Sequence, residues 1–301
     1  MNGFFNLNKP SGVSSAAVVG TLKRLTGEKR IGHAGTLDLE AAGVLPIMLG
    51  RATRLFDFLV DKEKEYEAVC AFGTATDTQD ATGRVIAEGD RYPDAEQVLQ
   101  QLPALTGDIR QRPSMYSAIK VGGKPLYARA RGGETPEVPE RTVHVERIEM
   151  LGPEPEHAFR LRIACGKGTY IRSICDDLGK LCGCPAHMRS LVRTRGGFFR
   201  IGDALTLEEA RSLAEAGRLR ERLIPLDAPL QHLRSTEAPA WMEKWVAAGA
   251  KLPAEKLTGE IPPEGEVTRI YLRGRFWGIA ERRGEDLAWR VQIPPEEEAP
   301  A

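Results

Sequence analysis

Asp38 stands in a glycine-punctuated stretch, Ile31-Gly-His-Ala-Gly-Thr-Leu-Asp-Leu-Glu-Ala-Ala-Gly43, that runs into an apolar segment. A carboxylate placed beside His33 and Thr36 can act as a nucleophile or a base. Gly32, Gly35 and Gly43 tolerate backbone angles and close approaches that other residues resist, so a ligand can come near the main chain. The same residues would equally make a tight turn in which the aspartate caps a following helix. A second cluster, Lys167-Gly-Thr-Tyr-Ile-Arg172, falls where an alternating strand hands over to a helix, a place that favours anions. A third, Gln111-Arg-Pro-Ser-Met-Tyr-Ser-Ala-Ile-Lys120, sets cations beside an aromatic and hydroxyls, and Tyr66 adds another ring. Rings beside cations suit unstacked bases and their phosphates, although a strand tyrosine also serves as ordinary core.

Cys175, Cys182, Cys184 and His187 call for a zinc test. Their spacing argues against it. There is no Cys-x-x-Cys pair, and Cys175 and Cys182 lie about two helical turns apart, as buried apolar residues do. No metal site is expected.

The elements that must position these residues follow from periodicity and punctuation. A strand over Gly3 to Asn8 breaks at Lys9-Pro-Ser-Gly12, and Ser14 or Ser15 offers an N-cap for a helix to about Leu25. Lys64 to Phe72 has strand character, and Phe159, Leu161, Ile163 and Cys165 alternate as in a half-buried strand, with Arg141 to Leu151 as its hairpin partner. Helices are expected near Asp94 to Leu102, Leu126 to Arg131, Thr169 to Leu181 and Leu207 to Ala216. Antiparallel strands mixed with flanking helices give an α+β fold. Asp227 to Pro239 reads as a linker. Beyond it a helix near Trp241 to Ala248 and strands near Val267 to Leu272, Phe276 to Arg282 and Ala288 to Ile293 predict a small β-rich domain. The expected division is 1–230, 235–295 and a disordered acidic tail at 296–301.

Lys plus Arg and Asp plus Glu both total 42, so net charge is zero, yet the charges are segregated. Ile109 to Gly133 holds six cations and no carboxylate, and Arg162 to Arg200 holds eight cations against Asp176 and Asp177. Brought onto one face, these segments would make a basic surface for phosphates. No apolar run reaches the length of a membrane span, the start lacks a signal-peptide pattern, and five cysteines fit reduced thiols. A cytoplasmic protein is expected. Asparagine is scarce and Arg outnumbers Lys, which leaves growth temperature open.

Taken together, the clusters resemble the bacterial tRNA pseudouridine-55 synthases, the TruB family. The likeness runs through Lys9-Pro-Ser-Gly-Val-Ser-Ser15, Gly32-His-Ala-Gly-Thr-Leu-Asp38, Gly43-Val-Leu-Pro46, Lys64-Glu-Tyr66, Thr76-Asp-Thr78 with Asp80, Tyr116-Ser-Ala-Ile-Lys120, Cys165 to Arg172 and Leu191-Val-Arg193. It covers most of the first 230 residues, and the region after about residue 235 would correspond to the family's PUA-like RNA-binding domain. The chain departs from the pattern at Leu39-Glu40, where the family continues with proline, and Glu40 adds a second carboxylate near Asp38.

The resemblance implies isomerisation of one uridine in the tRNA T-loop, without a cofactor, by a protein whose partner is tRNA and which is expected to act as a monomer. Asp38 would be the catalytic carboxylate, Arg172 its counter-charge, and Tyr66 a ring stacked on the flipped-out base that could assist proton removal from C5. Tyr170 and Leu191 would contact that base, and His33 would fill or hold the flipped stack. Lys9 and Lys120 would contact phosphates or position loops. A non-catalytic RNA-binding protein or folding chaperone is the alternative from another class. A nucleoside hydrolase would need a second catalytic carboxylate.

Overall fold

A computed structural model describes residues 1–60, 62–116, 120–121, 124–125, 129 and 138–295. A nine-stranded, mainly antiparallel sheet dominates. Its main path runs Gly3–Lys9, Ala42–Leu49, Ala186–Gly196, Lys64–Phe72, Ala158–Cys165, Arg141–Glu154 and Gly107–Gln111. The strand expected from Phe159 to Cys165 spans Ala158–Cys165 and pairs with Arg141–Glu154 as the proposed hairpin partner. Alternation was readable there because Leu161 and Ile163 are buried while Arg160 between its neighbours is exposed.

Register places the reactive residues. Tyr66 lies opposite Ile163 on one side and Arg193 on the other, and Leu191 lies opposite Ala68, so Tyr66, Arg193 and Leu191 share one face. The neighbouring strand joins in parallel, Arg193 against Gly43. Gly43 has φ +103°, and a Cβ there would stand 2.7 Å from the Arg193 nitrogen, so only glycine lets these strands meet.

Helices cover the sheet. Ser15–Thr26 is capped by Ser14, whose hydroxyl accepts from the Ala17 N–H, and ends on Gly27 in the left-handed region. Ile171–Leu181 buries Ile174, Cys175 and Leu178 in the main core, at the spacing of one helix face. It starts two residues later than expected. Ala95–Gln101 and Leu207–Glu215 each carry a complete capping box, from Asp94 with Gln97 and from Thr206 with Glu209.

The second sheet has six strands, from Arg234–Ala238 to Asp286–Gln292. Arg234–Ala238 corrects the reading of Asp227 to Pro239 as linker: this polar strand pairs in parallel with Val267–Leu272 and hides Thr236 and Ala238. Where a helix was expected from Trp241, a short 3-10 turn, Ala240–Met242, leads into the helix Glu243–Ala247. Ile279 of this sheet and Ile293, just beyond its last strand, join Phe4, Val44 and Met48 of the first sheet and Ala34 of the loop after Ile31–His33 in one buried cluster. The helix expected over 126–131, Arg129 apart, and the tail 296–301 lie outside the described residues. Among the described residues no helix is long and apolar enough to cross a membrane.

Candidate active site

The segment after Asp38 enters the strand Ala42–Leu49, so the aspartate caps no helix. Its loop is instead held from beneath by the N-terminal motif. Ser15, left free because Ser14 is the cap, turns its buried Oγ to Leu37, accepting from the N–H and donating to the carbonyl, both at 3.1 Å. The Gly12 N–H donates to the Leu39 carbonyl. Lys9 is fully buried, and its Nζ donates to the carbonyls of Val13, Leu39 and Pro10 at 2.6, 2.9 and 3.0 Å. Burial pushes the ammonium's pKa down, against the upward pull of Glu40 and Asp38. With its three donors spent on carbonyls, Lys9 is not free for the phosphate contact, and of the two expected roles the geometry favours the positioning of loops. Glu40 accepts from Ser11 Oγ through its carboxylate at 3.2 Å and its carbonyl at 2.8 Å.

From above, Arg193 grips the same loop. Its Nε donates to the Val44 carbonyl at 2.7 Å and its Nη2 to that of Gly35 at 3.1 Å, and the residue is 1% exposed. Arg193 had only figured in a motif. The available signal was its place two residues after Leu191, on the inward face of a strand.

Arg172 meets Asp38 directly. Its Nη2 lies 3.1 Å from Asp38 Oδ2 and its Nη1 3.5 Å from Asp80 Oδ2, with further donation to the carbonyls of Thr78 at 3.1 Å and Tyr116 at 3.3 Å. The arginine side chain is 5% exposed and the Asp38 carboxylate 50%. The buried guanidinium is thus fixed by Asp80 and two carbonyls, while the carboxylate it faces stays half-exposed. Asp80 is a positioning partner that its place beside the Thr76-Asp-Thr78 motif did not reveal. Its Oδ1 accepts from the hydroxyls of Thr78 and Thr82.

Two adjoining cavities, of about 110 and 210 Å³, share Thr36, Asp38, Tyr66, Thr169, Tyr170 and Arg172 in their walls. Leu191 lines the smaller and Arg193 the larger. Tyr66 is buried, and burial raises its hydroxyl above the usual tyrosine range although Arg193 pulls it down, so it stands as a neutral phenol. The structure therefore brings Asp38, Tyr66, Tyr170, Arg172 and Leu191 around one space. His33 ends the short strand Ile31–His33 outside those walls, half-buried, with no hydrogen-bond partner for Nδ1 among the described residues. Burial and Arg193 lower its pKa. Lys120 belongs to a short strand, but its side chain lies outside the described residues.

The thiols of the zinc test do not converge. Cys175 and Cys184 are buried, and His187 Nδ1 faces Thr74 at 2.9 and 3.1 Å. Among the described residues no three His, Cys, Asp or Glu could hold a metal.

Comparison with known proteins joins this geometry to a family. Residues 23–171 match the N-terminal domain of the TruB family pseudouridylate synthases, and residues 172–231 match the tRNA pseudouridylate synthase B C-terminal domain. The chain belongs to the TruB family. It is 41% identical over 287 residues to the tRNA pseudouridine synthase B of Geobacillus thermodenitrificans, covering 91% of this chain and 95% of that one. The protein of the same name from Geobacillus kaustophilus is 43% identical over 270 residues, covering 86% and 95%. Among solved structures, a Cbf5-Nop10-Gar1 complex matches with TM-score 0.75 at 26% identity, over 97% of this chain and 84% of that one. A TruB-family chain is an isomerase, and its α+β fold matches that of the solved structure.

Proposed function

We propose that this TruB-family enzyme converts one uridine in the T-loop of tRNA to pseudouridine, with Asp38 as the reacting carboxylate. The observation that carries this is the Asp38–Arg172 pair at the mouth of a cavity walled by Tyr66 and Tyr170. The reaction breaks C1′–N1, turns the uracil, joins C1′ to C5, removes the C5 proton and returns a proton to N1, so atoms balance without redox chemistry, hydrolysis or a cofactor. One carboxylate suffices, attacking C1′ or promoting elimination across the sugar.

Bound RNA would strip water from Asp38, and an unpaired buried carboxylate takes up a proton. Arg172, already held by Asp80 and two carbonyls, keeps it charged without moving. Tyr66 stacks on the flipped base, and the neutral phenol favours that role over removal of the C5 proton. Tyr170 and Leu191 bound the same base. His33 fills the space the base leaves or holds the flipped stack, and Lys120 contacts phosphate or positions a loop. The division into a catalytic unit, 1–230, and a PUA-like RNA-binding unit, 235–295, belongs to this proposal and is supported by the separate second sheet.

The test is incubation with unmodified tRNA tritiated at uridine C5. Tritium release is expected. Free uracil would make the protein a hydrolase, and neither product would leave a binding protein.

A further inference from the structure

Tyr170 is held from two sides by a pair of residues that no catalytic role accounts for. Gln111 ends the edge strand Gly107–Gln111 and is fully buried. Its Oε1 accepts from the Tyr170 N–H at 3.0 Å, and its Nε2 donates to the Tyr170 carbonyl at 3.2 Å. A side-chain amide bonded both ways to one residue acts as a one-residue extension of the sheet, fixing that residue's position and orientation together. Directly opposite Gln111 in the ladder is Arg141, whose guanidinium lies 4.6 Å from the centre of the Tyr170 ring and whose Nη2 donates to the Gly168 carbonyl. Backbone and ring of Tyr170 are therefore gripped by cross-strand neighbours.

Tyr170 is also the residue before the helix Ile171–Leu181, and that helix end has no side-chain cap. Wherever Tyr170 is pinned, the first turn starts, and Arg172 is its second residue. A second bond set supports the same alignment: Ser173 Oγ donates to Gln79 Oε1 at 2.9 Å and to the Arg112 carbonyl at 3.3 Å, one residue beyond Gln111.

We infer that Gln111 is a positioning residue for the isomerisation: it sets the Tyr170 wall of the cavity and the start of the helix that aims Arg172 at Asp38. It touches neither base nor sugar. This rests on the proposed function, so the test reads Tyr170 directly as well as turnover. Gln111→Leu removes both bonds at similar size. Gln111→Glu keeps the acceptor for the Tyr170 N–H and sets a carboxylate against the Tyr170 carbonyl, which separates the loss of the donor from a change of shape.

The chain has six tyrosines, so 3-fluorotyrosine labelling gives a short fluorine spectrum in which Tyr170→Phe assigns one resonance. In both Gln111 variants that resonance should shift or broaden in the free protein. Single-turnover rates at saturating tRNA should fall about tenfold to a hundredfold, as expected for a misplaced reacting group, with tRNA Kd within about threefold. Rates are compared at equal distance below each protein's Tm, which removes a loss due only to weaker folding. Rates within about twofold of the parent after that matching, or an unmoved Tyr170 resonance, would overturn the inference. If the parent itself releases no tritium, the functional proposal fails, and the fluorine spectrum still decides whether Gln111 holds Tyr170.

Discussion

Two polar networks in this molecule differ in how they end. In the C-terminal part, Arg269 donates to the Leu233 carbonyl and to the Tyr271 hydroxyl, which donates to Asp227 at 2.7 Å. Every charge meets a partner within the network, and burial together with the Asp227 carboxylate pushes the Tyr271 hydroxyl up to about 12. Around Asp38, Lys9, Arg193 and Arg172 likewise spend their donors on carbonyls, but the last link is a half-exposed carboxylate facing a cavity. A closed network fastens one part of a protein to another. An open one leaves a charged group rigidly aimed at space that a substrate can enter, the preorganisation that catalysis requires.

Removing the open end should have the largest effect. Asp38→Asn is expected to abolish pseudouridine formation, a loss beyond about a thousandfold in single turnover, with tRNA affinity within about tenfold because phosphate contacts elsewhere dominate binding. Tritium release and filter binding on the same preparation check this, and retained turnover rejects Asp38 as the reacting group. Arg172→Lys is next. Lysine cannot reproduce a planar fork reaching Asp38, Asp80 and two carbonyls at once, so a loss of about a hundredfold is expected. Unchanged single-turnover kinetics would show that the arginine serves packing alone.

Sequence could show the parts of this site better than their joins. Strands with one buried face announced themselves, as in Ala158–Cys165, whereas Arg234–Ala238 did not: its residues are mostly polar, and the prolines on either side of it imitate a linker. Asp38, Tyr66 and Arg172 could be named from motifs, because each motif is local. For Lys9 the choice between phosphate contact and loop positioning stayed open, since only the fold shows three carbonyls converging on one ammonium. Gln111 and Arg193 escaped for the same reason: both act on main-chain atoms at least 59 residues away, and a backbone carbonyl leaves no mark on the sequence.

A change in the apolar seam between the two sheets tests whether the two networks are separable. Ile279 is fully buried in the cluster that also contains Ala34, from the Asp38 loop. Ile279→Ala should cost about 2–5 kcal/mol of stability, seen as a lower Tm. Turnover per folded molecule should stay within about threefold, since the loop keeps its bonds to Ser15 and Arg193. A larger fall in turnover at matched stability would make the C-terminal sheet part of the loop's support and erase the contrast drawn above.

The smallest effect concerns His33, the imidazole next to the open network. Burial, aided by Arg193, holds its pKa below 6.5, so the folded protein keeps the ring neutral while the unfolded chain takes up a proton near that value. The unfolded state then binds more protons, and stability rises with pH across this window. The contribution is whole above pH 6.5 and is lost as the pH falls from there toward the folded value. Gln fills a similar space without titrating. Between about pH 7.5 and about pH 5.5, the Tm of the parent should therefore fall more steeply than that of His33→Gln. Parallel curves would mean that His33 is as free to accept a proton in the fold as out of it, and that the positive charge of Arg193 is screened from the strand beside the Asp38 loop.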